Sequence, residues 1–87
     1  MTFSIQISRY ADRYFGRLEP RLQIRILSRL NEIAADPFGP HTKQLKNQQG
    51  RRSARVGDIR IIFSVNESDR VVEVSDIAPR GRAYRDI

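Results

Sequence analysis

RSARVGDIRIIF, residues 52–63, places Arg52, Arg55 and Arg60 within nine positions and ends in an apolar run. At its centre stands Gly57-Asp58, a dipeptide suited to the tight turn of a β-hairpin. Side chains alternate on either side of that turn. Before it, Ala54 and Val56 share one face of a strand, and Arg51, Ser53 and Arg55 share the other. After it, Ile59, Ile61, Phe63 and Val65 lie opposite Arg60, Ile62 and Ser64. If the apolar faces pack under helices, Arg55 and Arg60 emerge together on the uncovered side. The spacing therefore predicts Arg60 on the solvent face of a central strand.

Upstream, TFSIQIS (2–8) alternates Phe3, Ile5 and Ile7 with polar residues, the pattern of a half-buried strand. From Arg9 the period becomes helical, with Tyr10 and Tyr14, then Ala11, Phe15 and Leu18, recurring on one side. Gly16 and Pro20 bound this short helix, and Glu19-Pro20 opens a second one, proline being tolerated in a first helical turn. Leu22, Ile26, Leu30 and Ile33 line one of its faces and Arg21, Arg25 and Arg29 another. With Arg9, Arg13 and Arg17 these arginines form a ladder that reads as a solvated helix face. DPFGP (36–40) stops the helix, because Pro37 and Pro40 cannot extend it. HTKQLKNQQG (41–50), polar apart from Leu45, reads as a loop. Downstream, NESD (66–69) reads as a turn and RVVEVSDI (70–77) as a third strand of the meander, its faces left open because Val71 and Val72 are both apolar.

The chain has 87 residues, the size of one domain spanning 1–87, and no cysteine, so disulfides and thiolate sites are excluded. No signal-peptide order and no membrane-spanning apolar run is present, which predicts a soluble cytoplasmic protein with no membrane partner. The net charge is +6, but the excess is local. Residues 41–60 carry Lys43, Lys46, Arg51, Arg52, Arg55 and Arg60 against Asp58, and residues 79–87 carry Arg80, Arg82 and Arg85 against Asp86. Such clustering is the footprint of a site for a polyanion; its bland counterpart is a generally basic, soluble surface.

One histidine, His41, and no cysteine leave no metal site to expect, and no Gly-rich phosphate loop is present. Nothing in the spacing brings Ser53, Ser64 or Ser75 to His41 for a nucleophilic triad. What remains is arginine with one tail tyrosine, Tyr84. Guanidinium binds phosphate bidentately and tyrosine stacks on bases. That set suits RNA cleavage by the RNA's own 2′-hydroxyl, which needs cations around the phosphorane, a base and an acid, and no cofactor.

The order of these pieces resembles the RelE/ParE toxin superfamily over nearly the full length. The resemblance rests on the opening strand, two helices ending in Asp36-Pro37, Leu45-Lys46, the run from Arg55 to Arg60, and Arg80 with Tyr84 in the tail. It implies an α+β fold, β-α-α-β-β-β, with two N-terminal helices on one face of a small antiparallel sheet. It further implies the toxin of a type II toxin–antitoxin pair, an mRNA interferase that cuts mRNA on the ribosome without a metal. A cognate acidic antitoxin would be its protein partner and would set the oligomeric state. By the same resemblance Arg60 contacts the scissile phosphate and Arg80 serves the leaving group or phosphate. Tyr84 orients the nucleotide, and Arg55 is a basic position on the preceding strand. Lys43, Lys46, Arg51, Arg52 and Arg82 complete the expected RNA-binding set. The chain departs from the pattern where relatives carry a candidate base: it has Arg52, Ser53 and Ala54 on the first hairpin strand and Pro79 before the tail arginine. His41, Lys43 and Lys46 stand on the preceding loop as alternatives. Two competing readings share these features: a ParE-like gyrase poison, and a nucleic-acid-binding module without chemistry.

Overall fold

Alternation in the first residues becomes strand β1 (Ser4–Ile7), with Ser4 and Gln6 exposed and Ile5 and Ile7 half-buried. A computed structural model of the chain describes residues 2–45 and 50–79. Ser8 ends β1 and caps helix α1 (Arg9–Gly16): its Oγ accepts the Ala11 N–H at 3.0 Å and donates to the Ser75 carbonyl at 2.8 Å. One side chain thus satisfies an orphan helix donor and ties the helix to the sheet. Helix α2 (Pro20–Ala35) starts at its proline and buries Ile26, Leu30 and Ile33. Arg9, Arg13, Arg17, Arg21 and Arg25 are exposed, and Arg29 pairs with Glu32 at 2.8 Å, so the arginine ladder is a solvated face.

The remaining strands are β2 (Thr42–Gln44), β3 (Arg51–Val56), β4 (Ile59–Asn66) and β5 (Val71–Pro79), in the sheet order β1-β5-β4-β3-β2. The Gly57-Asp58 hairpin forms as its sequence predicts, with Val56 opposite Ile59 and Gly57 at φ 59°. Two features depart from a simple antiparallel meander. First, β1 pairs parallel with β5, which the two-helix crossover between β1 and the later strands permits. Arg70, at φ 54°, accepts the Ser4 N–H on its carbonyl at 2.9 Å and seats the start of β1 there. Second, part of the segment read as a loop is the edge strand β2, paired antiparallel with β3. It escapes a hydropathy reading because backbone hydrogen bonds hold it and only Leu45, just after it, is apolar.

A register shift beside Ile62/Phe63 settles the faces of β5. Phe63 lies opposite Val74 and Ile62 opposite Asp76, so Ser75 is the extra residue of a bulge. Val72 and Val74 face the helices before it and Ile77 after it. The helix-covered core gathers these with Ala54, Val56, Ile59, Ile61 and Phe63. A smaller cluster, Leu45, Ile62 and Ala78, covers part of the opposite face. Arg60 shares that opposite face, as expected, yet it is only 8% exposed. The expectation of a solvent-facing Arg60 is corrected: it is buried on that face, in a central strand with Arg55 of β3 and Ala78 of β5 as its cross-strand partners on either side. Among the described residues, no helix is long and apolar enough to cross a membrane.

Candidate nucleic-acid interface

Arg55 and Arg60 are direct cross-strand partners between β3 and β4. Like charges set opposite each other in a sheet are destabilising, and such a local conflict in a small domain marks a position kept for a purpose other than folding. Arg55 is exposed, and its Nε donates to the Gly57 carbonyl at 3.1 Å, which folds the guanidinium toward the turn. From the other side, the pairing of Lys43 with Ser53 puts Lys43 on the same face. His41, Thr42, Lys43 and Ser53 line a cleft of about 150 Å³ with Arg55 and Arg60. Ser53 is 2% exposed and forms part of the floor. The cleft thus brings His41 beside Ser53, a proximity no spacing in the sequence announces. Three cationic side chains on one concave surface can hold a phosphodiester.

The rim that carries His41 and Lys43 is fastened from the helix side of the sheet. Thr42 Oγ1 lies 2.9 Å from the Pro37 carbonyl and 3.1 Å from that of Gly39, and it accepts from Arg52 Nη2 at 2.9 Å. Arg52 Nε also donates to the Pro37 carbonyl at 3.1 Å, and its guanidinium lies 5.2 Å from the centre of the Phe38 ring. Arg52 therefore stands on the face opposite Arg55 and Arg60, holding the α2–β2 connection. Arg51 is on the cleft's face but reaches away from it, donating to Ser75 Oγ at 2.7 Å and lying 3.5 Å from Asp76 Oδ2.

Of the residues singled out from the sequence, Lys43, Arg55 and Arg60 meet in the cleft, while Arg51 and Arg52 are held elsewhere. Lys46, Arg80, Arg82 and Tyr84 lie outside the described residues. Strand β5 ends at Pro79, opposite Ile59 and one residue past Ala78, the cross-strand partner of Arg60. Hydropathy reasoning missed the small apolar cluster of Leu45, Ile62 and Ala78 on this face; the lone leucine in a polar stretch was the available signal.

The sequence matches the family described as ParE toxin of type II toxin-antitoxin system, parDE, over residues 5–84. No curated protein matches it. The fold is similar to that in an archaeal RelE-RelB complex from Pyrococcus horikoshii OT3, at 27% identity over 94% of this chain and 99% of that one, with a TM-score of 0.80. The toxin-antitoxin complex RelBE2 from Mycobacterium tuberculosis is 20% identical over 92% of this chain and 100% of that one, with a TM-score of 0.81. The intact Escherichia coli RelBE complex is 16% identical over 92% and 99%, also with a TM-score of 0.81.

Proposed function

Because the chain belongs to the ParE toxin family of type II toxin–antitoxin systems, we propose that it is a toxin that cleaves mRNA on the ribosome and so stops translation. The observation that carries this reading is the opposed pair Arg55 and Arg60 in a cleft with Lys43. In the reaction, an RNA 2′-hydroxyl attacks the adjacent phosphorus and the 5′-oxygen leaves, producing a 2′,3′-cyclic phosphate or its 3′-phosphate. Arg60, largely withdrawn from water, and Arg55 stabilise charge on the phosphorane; cations act most strongly where water is excluded. Arg80 and Tyr84 follow β5 in the chain and are proposed, from the resemblance, to assist the leaving group and to stack on the nucleotide. Lys43, with Lys46 and Arg82, holds the RNA backbone. Alignment of the 2′-oxygen with the leaving oxygen supplies the largest share, roughly 7–11 kcal/mol for well-placed reactants, and the ribosome provides it. The basic cleft suits an acidic antitoxin segment as its inhibitor, in line with the RelE-RelB complexes of similar fold.

The test compares programmed ribosomes with naked RNA. Cleavage should be much faster on ribosomes, and its product should end in a cyclic or 3′-phosphate. Arg60→Met should lower the rate about 10²–10³-fold, the usual loss for one transition-state donor, with the circular dichroism spectrum unchanged. The ParE family match favours a second reading, gyrase poisoning. Intact mRNA with gyrase-dependent DNA breaks in arrested cells would replace the first reading with that one.

A further inference from the structure

Cleavage by a 2′-hydroxyl needs an acceptor for its proton, and the cleft narrows the choice. Guanidinium has no lone pair to offer, which removes Arg55 and Arg60, and a lysine ammonium must first shed its own proton, which ranks Lys43 behind an acceptor that is already neutral. Thr42 Oγ1 is occupied by Arg52 and the Pro37 and Gly39 carbonyls. Ser53 is buried at 2% exposure, and a hydroxyl is a poor base. Among the described lining residues that leaves His41, the chain's single histidine. It is exposed, and it sits in the wall between the cationic cleft and a second hollow lined by Glu32 and Asp36. A neutral imidazole carries a lone pair on one ring nitrogen and a proton on the other, which suits it to receive and return a proton.

Resting on the ribonuclease reading above, we propose that His41 is the general base of the cleft. The 2′-hydroxyl proton passes to an imidazole nitrogen as the O2′–P bond forms. The P–O5′ bond then breaks, the 5′-oxygen takes a proton from water, and the imidazolium gives its proton to the hydroxide so formed, leaving a cyclic phosphate, a 5′-hydroxyl and a neutral imidazole. The Thr42 anchor fixes the backbone next to His41, so the residue before the edge strand here does the work that the first hairpin strand lacks the residues to do.

The experiment measures single-turnover cleavage on programmed ribosomes at saturating toxin across pH. The charged groups lining the two hollows with His41 are Glu32 of α2 and Asp36 just after it, Lys43 of β2, and Arg55 and Arg60 from β3 and β4. The base must be neutral to accept, so the wild-type rate should rise with pH and then level off. His41→Gln should lower the rate constant about a hundred- to ten-thousand-fold, flatten that rise and leave ribosome affinity unchanged. Added imidazole should restore part of the rate to His41→Ala. Lys43→Met should weaken binding and keep the pH rise. A His41→Gln variant with wild-type rate and pH profile, or no rescue by imidazole, overturns the proposal while wild-type cleavage preserves the ribonuclease reading. If the wild-type protein cuts no mRNA, the reading itself fails and the base falls with it.

Discussion

Ile62 and Phe63 are neighbours in the chain, both with no exposed surface, and they serve opposite faces of the sheet. Phe63 belongs to a cluster that joins both helices to β3, β4 and β5, whereas among the described residues Ile62 clusters with Leu45 and Ala78. Among the described residues the buried cluster of the helix-covered face is apolar throughout, so it stabilises the fold by burial. The open face places Lys43, Arg55 and Arg60 around a patch too small to hold a domain together. The difference teaches a division of labour. The opposed arginines and the buried Arg60 lie on the open face, and burial on the other face offsets their cost.

The largest expected effect lies on the covered face. Phe63→Ala should destabilise the protein by about 3–5 kcal/mol, the usual cost of an aromatic-sized cavity in a packed core, read as a lower urea midpoint. Ile62→Ala removes a side chain equally buried but from a patch able to collapse, so its cost should sit near the bottom of the range for such truncations, about 2 kcal/mol. Its fold should persist while mRNA cleavage slows, because water then reaches the surroundings of Arg60. Equal losses of stability from the two variants would break the comparison and make the open face as structural as the covered one.

A smaller effect sharpens it. Arg52→Met deletes donors to the Pro37 carbonyl and Thr42 Oγ1 while keeping an aliphatic stem against Phe38. Half-buried bonds of this kind should be worth about 1 kcal/mol in net stability. Hydrogen exchange of the Leu45 amide, which donates to the Arg51 carbonyl at 2.9 Å, should quicken as β2 loosens. Unchanged exchange together with weakened RNA binding would instead return Arg52 to the role of an RNA contact that its sequence suggested.

Much of the cleft was legible beforehand. Two-residue alternation around Gly57-Asp58 is a local property, so the pairing of Ala54 with Val56 on one face and of Arg55 with Arg60 on the other follows from strand geometry. The same alternation sets Arg52 with Ala54 and Val56, away from Arg55, although its charge groups it with the cluster. Helix spacing through Ile26, Leu30 and Ile33 likewise identified the buried stripe of α2. Val71 and Val72 stayed ambiguous because the bulge at Ser75 resets the alternation of β5, and such a bulge is visible only against the partner strand.

By itself, then, the sequence determined the helices, the hairpin, the face of each side chain on β3 and β4, and the kinship carried by Arg55, Arg60 and their order along the chain. Tertiary structure alone decided that β1 runs parallel beside β5, that Thr42–Gln44 completes the sheet edge, and that Arg60 is buried on the face it shares with Ile62 and its partner Ala78. It also brought His41 into the cleft. The reason is physical: periodicity and turn chemistry act between residues a few positions apart, whereas edge pairing and enclosure depend on which distant backbone groups remain to be hydrogen-bonded and which apolar surface remains to be covered once the chain has folded.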